Sequence, residues 1–277
     1  MRNFFVLLAT ALLVAGCGSE AGEKASATSD APQLLSATVN NLAQLDAATV
    51  DLKVDATPTG GAPASVHVQG PFQAGKDGET PTFSLAATLQ SEGRTQAAGA
   101  TWTGEKAFAT LEGQSYEVPS LFAGQIAAGV EQAFGKGGPL IAIDLKRWVP
   151  SPVNAGTAQV GGVETVKLTG EADVKRVLAD INLLSGQLQQ LQMPGMSPRA
   201  PGKLSPELAD QVKSLTVTVY TGADDQILRR LVVEGDSKSS GAVQLDLTLT
   251  KVGDDQEIAA PKDARPFNEL LQSLRTR

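Results

Sequence analysis

Cysteine and histidine are almost missing from this chain. Its 277 residues hold one of each, Cys17 and His67. A single cysteine excludes an intrachain disulfide, and the two together exclude the clustered thiolate and imidazole ligands of a zinc site. A Ser-His-Asp relay would have to use His67. That residue takes a polar place in the alternating run Val66-His67-Val68-Gln69, where a histidine faces solvent, and no serine stands in a Gly-x-Ser-x-Gly elbow. Aromatic residues are scarce, at 4%. Basic clusters are lacking as well: Lys146-Arg147 and Arg229-Arg230 are only pairs, and the formal net charge is −7. This excludes phosphate-backbone binding as the main task, so no nucleic-acid partner is expected. The apolar run from Phe4 to Ala15, broken only by Thr10, spans about 18 Å as a helix, short of the roughly 30 Å hydrocarbon core of a bilayer.

What that run does have is a positive start at Arg2 and the ending Val14-Ala15-Gly16-Cys17. This is a secretory signal closing on a lipobox. The small residues before the cysteine leave the backbone open to a peptidase, the thiol takes a diacylglyceryl group, and cleavage makes Cys17 the first mature residue. At about 0.8 kcal/mol per buried methylene, two long acyl chains hold a protein firmly on a membrane. The expected organisation is a signal peptide over 1–16, a tether over 17–33 rich in Ser, Ala, Thr and Gly, and one domain over 34–277. The expected location is exported, anchored to the outer face of the cell membrane through Cys17.

Periodicity gives the elements. Leu35, Val39, Leu42 and Leu45 lie on one helical face after the start signal Asp30-Ala31-Pro32. About six strands follow between 50 and 118, punctuated by turns such as Pro58-Thr59-Gly60-Gly61 and Gly75-Lys76-Asp77-Gly78. Phe122, Ile126, Val130 and Phe134 predict a helix. The run 140–152 is apolar but irregular, and 160–170 reads as one strand around Gly161-Gly162-Val163. Val174 to Leu191 carries a long helical stripe, 193–202 is a proline-rich loop, and Ser205-Pro206 opens a short helix to about Lys213. Three strands between 215 and 250 and a tail helix at 267–274 complete the chain. Strands and helices do not alternate, so the fold class is α+β rather than a parallel wound sheet. The expected architecture is a single strongly bent antiparallel sheet of about ten strands, a half-barrel whose concave face is covered by helices.

No catalytic constellation emerges, and the chain reads as a non-enzyme with no cofactor and no metal. Asp224-Asp225 and Asp254-Asp255 occupy hairpin-like turns, where solvation explains them. Gly161-Gly162 and Gly135-Lys136-Gly137-Gly138 match no phosphate loop. The meander is rich in alanine: Ala86, Ala87, Ala97, Ala98, Ala100, Ala107 and Ala109. Small side chains under helices leave volume that an acyl chain can fill. The same alanines also follow from composition bias alone, with helices sitting closer to the sheet.

In this order of elements the chain resembles the actinobacterial lipoprotein family of LppX, LprA, LprF and LprG, similar in fold to the lipoprotein carrier LolA. The resemblance rests on the lipobox at Cys17, the helix leading into Val50-Asp51-Leu52-Lys53-Val54, Trp148-Val149-Pro150, the stretch Gly161 to Gly170, and Ile258-Ala259-Ala260-Pro261. It implies an apolar cavity for lipid or glycolipid acyl chains, and a monomer that transports or presents them at the envelope, with a membrane transporter as a further partner. Strand parity and helix faces then name the cavity candidates: Leu52, Val54, Phe83, Leu85, Val217, Val219, Leu245 and Leu247 as walls, with Phe122, Ile126, Ile181 and Leu184 as the roof. The alternative is a non-catalytic envelope scaffold or sensor that binds a protein partner and has a closed core.

Overall fold

Alternation of apolar and polar residues builds one sheet that crosses nearly the whole chain. The computed structural model describes residues 25–26, 29–42, 44–75, 79–134, 145–190 and 204–275, with the side chains of 132–134, 184–190 and 275 excepted. Cys17, the signal segment and the 193–202 loop lie outside the described residues. Helix α1 (Ala31–Leu42) precedes strands β1 (Ala47–Pro58), β2 (Ala64–Gln73), β3 (Thr82–Ser91), β4 (Arg94–Trp102), β5 (Ala107–Leu111) and β6 (Gln114–Glu117). A 3-10 turn at Ser120–Phe122 leads into α2 (Ala123–Phe134). Then come α3 (Leu145–Trp148), β7 (Val153–Val160), β8 (Val163–Glu171), α4 (Val174–Gln190) and α5 (Leu208–Gln211). Strands β9 (Val212–Gly222), β10 (Leu228–Ser237), β11 (Gly241–Thr250) and β12 (Arg265–Pro266) and helix α6 (Phe267–Arg275) close the chain.

The sheet has 12 strands in the order β12-β6-β5-β4-β3-β2-β1-β11-β10-β9-β8-β7. Each pair is antiparallel except the short β12–β6 contact. Strands β7 and β12 each have a single neighbour, so the sheet is open rather than a closed barrel. Two strands exceed the sequence expectation. One is β12. The other is β7, left unassigned by periodicity over 153–159; the strand expected at 160–170 holds the last residue of β7, the two-residue turn Gly161-Gly162 and most of β8, with Val160 paired to Val163. The φ values of the two glycines, +57° and +82°, are the left-handed pair that such a turn demands. The helix expected from Ser205 to Lys213 shrinks to α5, because Val212 and Lys213 belong to β9, Val212 pairing with Ser237 across a register shift at Lys213.

Helix starts follow their local signals. The Asp30 carboxylate accepts the Gln33 N–H at 2.9 Å and caps α1. Asp173 accepts the Arg176 N–H at 3.3 Å at the start of α4 and pairs with its guanidinium at 3.1 Å. The indole N–H of Trp148 donates to Asp180 at 2.8 Å, fastening α4 to α3.

All the helices that contribute to a core lie on one face of the sheet, the inner face, and they form two separate clusters. The first joins α1, α3 and the start of α4 to β1 and β8–β11 through Leu34, Leu35, Leu145, Trp148, Val166, Leu168, Val177, Val217, Val219, Leu228 and Leu249. Inside it the Thr38 and Thr221 hydroxyls, both fully buried, lie 2.8 Å apart, and Thr38 is also 2.8 Å from the Leu34 carbonyl. The second cluster joins α2 and α6 to β4–β6 through Trp102, Ala107, Ala109, Tyr116, Val118, Val130 and Leu270.

Candidate functional site

Between the two clusters the inner face of the sheet continues, and register shows what it presents. Side chains two apart on a strand share a face, and directly paired residues share it across strands. Val54 pairs with Leu245 on one side and Val66 on the other, and Val66 pairs with Leu89. In the next row Leu52 pairs with Leu247 and Val68, Val68 with Ala87, and Ala87 with Ala98. Ala56 and Val243 extend the strip by one more pair. The strip crosses β11, β1, β2, β3 and β4, about 19 Å at the usual strand spacing. It carries no charged residue.

Leu52, Val54, Val66, Val68, Leu85, Ala87, Leu89, Val243 and Leu245 belong to neither packed cluster. Val66, Leu89 and Val243 are 37%, 41% and 45% exposed, while Leu52, Val54, Val68, Leu85, Ala87 and Leu245 are half-buried. Exposure rises along the strands. At the end marked by Ala48, Trp102 and Leu249 the inner face is buried to between 0% and 4%, and it opens toward the end marked by Val243, Val66 and Leu89. Gly235 stands at that open end between Leu215 and Val243. A Cβ there would come within 3.1–3.2 Å of both side chains, so the glycine lets β9 and β11 side chains close over β10.

The structure divides the sequence candidates among three places. Leu52, Val54, Leu85 and Leu245 lie in the uncovered strip. Leu247 and Ile181 pack against the first cluster, and Phe83, Phe122 and Ile126 against the second, so these five border the strip. Val217 and Val219 are exposed by only 0% and 2% and sit inside the first cluster, away from any open wall. The Leu184 side chain and Cys17 lie outside the described residues. Sequence parity missed Val66, Val68, Ala87, Leu89 and Val243. Their alternation is plain in the sequence, but only the pairing of β1 with both β2 and β11 sets them beside Leu52 and Val54.

The outer face is polar and tied by ion pairs. His67 Nε2 lies 3.0 Å from Asp51, whose carboxylate is also 3.9 Å from Lys53. Arg230 grips Asp246 with two bonds of 2.8 and 2.5 Å and lies 5.5 Å over the Tyr220 ring. Donating to the Asp246 carboxylate holds the guanidinium above its ordinary pKa, so Arg230 stays charged throughout the neutral range. An open hollow of about 630 Å³ on this side is lined by Thr49, Pro71, Lys251, Asp254, Asp255, Gln256 and Glu257. Four charged side chains, Lys251, Asp254, Asp255 and Glu257, stand in its walls. Among the described residues no group of three or more His, Cys, Asp or Glu is placed to hold a metal ion.

No family model matches the chain, and no curated protein matches it. Solved structures do. LprF from Mycobacterium bovis is similar at 17% identity and a TM-score of 0.49, covering 83% of this chain and 96% of that one. The Mycobacterium tuberculosis lipoprotein LppX is similar at 14% identity and a TM-score of 0.41, covering 83% of this chain and 100% of that one. A LolA superfamily protein from Nitrosomonas europaea follows at 8% identity and a TM-score of 0.24, covering 85% and 96%. Two of these belong to the family that the sequence resembles. The identities and TM-scores are low, and nothing is carried over from these structures to this chain.

Proposed function

We propose that this chain is an envelope lipoprotein, anchored through an acylated Cys17, that shelters lipid or glycolipid acyl chains on its inner face and transports or presents them. The observation that carries the reading is the five-strand apolar strip that neither core covers. An exposed apolar surface of this extent is costly to leave in water, and a binding site is the usual reason for one. Covering a half-exposed Val or Leu is worth on the order of 1 kcal/mol, so a tail lying across Leu245, Val54, Val66 and Leu89 gains several such increments. The strip offers no charge, so it selects for hydrocarbon and leaves the head group outside. The chain then acts as a non-catalytic monomer that exchanges cargo with a membrane component such as a transporter.

The test is native mass spectrometry of the body without its anchor, purified free of detergent, together with uptake of a fluorescent fatty acid. Bound lipid or saturable uptake is expected. An apo mass with no uptake leaves the scaffold reading, in which the strip is covered by a protein partner.

A further inference from the structure

The chain joins its folded body earlier than composition implies. Ala25 is 5% exposed within the first cluster, and its N–H donates to the Ala223 carbonyl at 2.7 Å. The Ala223 N–H in turn donates to the Glu164 carbonyl at 3.0 Å. Further on, the Asn154 side-chain amide donates to the Ser26 and Ser29 carbonyls, both at 3.0 Å. The tether expected to run to residue 33 is therefore already fixed to the body at residue 25. From Cys17 to Ala25 there are eight Cα steps, at most about 29 Å when fully extended.

The place of this attachment matters. Ala223 follows β9, and Glu164 lies beside the Gly161-Gly162 turn. Register puts both at the strand ends shared by Leu249, Ala48 and Trp102, the closed end of the inner face. Val243, Val66 and Leu89 lie toward the opposite ends of strands of ten residues, about 30 Å long. Only a leader stretched along the full sheet would bring those ends to the bilayer. The attachment end also carries Glu164, Asp224, Asp225, Asp254, Asp255 and Glu257 against Lys251 and Arg229. That balance holds the closed end off anionic head groups by the distance the leader allows, rather than pressed against them.

We propose that the body stands with its closed end toward the anchoring membrane and its open apolar end away from it. Cargo then enters and leaves on the far side, toward an apolar acceptor or donor beyond the anchoring bilayer. This rests on the reading of Cys17 as acylated and of the strip as the cargo site.

The acylated full-length chain is reconstituted in phosphatidylcholine vesicles containing nitroxide-labelled head groups. Acylated Cys17 offers no free thiol, so Val163→Cys beside the β7–β8 turn and Ser239→Cys in the β10–β11 turn can each carry a single small fluorophore. The label at 163 is expected to lose most of its emission to the nitroxides, and the label at 239 little. Equal or reversed quenching overturns the orientation. Flotation with the vesicles and fatty-acid uptake, measured on the same samples, separate the causes. A chain that does not float overturns the anchor and the orientation together. A chain that floats with the expected pattern but takes up no fatty acid keeps the orientation and removes the cargo reading.

Discussion

Two valines on the same face of the sheet have opposite environments, and so opposite sensitivities. Val54 is half-buried in the uncovered strip beside Leu245 and Val66. A carboxylate there stays solvated in the empty protein and becomes costly only when hydrocarbon covers it. Val54→Asp is expected to weaken fatty-acid uptake at least about tenfold, or about 1.4 kcal/mol, with the melting temperature little changed. A titration of the fluorescent fatty acid against both proteins checks this. Val217 has no exposed surface and touches the packed interior of the first cluster. Val217→Trp is expected to overpack that core and cost about 1–3 kcal/mol in denaturant unfolding. Any loss of uptake by that variant then follows from a damaged fold. Parity alone assigned both valines the same role, because alternation tells which face a side chain takes and says nothing of what lies above it.

At the level of elements, the described part of α4 is fastened from Asp173 to Asn182, whose side-chain amide exchanges bonds of 2.8 and 2.7 Å with the Leu204 backbone. Asp173 caps it, Val177 and Ile181 pack into the first cluster, and Asp180 accepts the Trp148 indole. Leu183, by contrast, is 58% exposed. Asp180→Ala leaves the indole N–H without its partner and is expected to cost about 1–3 kcal/mol of stability, read by thermal or urea unfolding. Asp180→Asn, which keeps an acceptor, should lose less. Most elements were legible in the sequence. The capped α1 and α4, the meander β1–β6 and the strands β9–β11 all follow their periodicity and turn residues. The misreadings have local causes. By sequence Gly161-Gly162 reads as part of a strand because apolar residues flank it on both sides, yet two positive φ values make it the turn. α5 lost its last residues to the longer-range pairing of β9 with β10. The uncovered strip was only half legible. Leu52, Val54, Leu85 and Leu245 could be named from alternation, but their neighbours could not, because register between distant strands leaves no mark in either segment.

For the whole molecule, one sheet serves two cores and keeps the surface between them apolar. Among the described residues the helices pack over the two flanks rather than over the strip between them. On the proposed reading, an acyl anchor at Cys17 sets where this surface works. Cys17→Ala is expected to move the protein from the membrane fraction to the soluble exported fraction while leaving fatty-acid uptake by the body intact. Fractionation with a parallel uptake assay tests both halves of that statement.

The pairing of β1 with β11 has a consequence in time. Leu52 meets Leu247 across most of the described chain, and β1 has no other neighbour on that side. A polypeptide delivered across a membrane N-terminus first therefore presents β1 as a bare edge until its closing hairpin emerges. The apolar strip begins on β1 to β4 and is completed last, when the final long strand sets Val243, Leu245 and Leu247 beside Ala56, Val54 and Leu52.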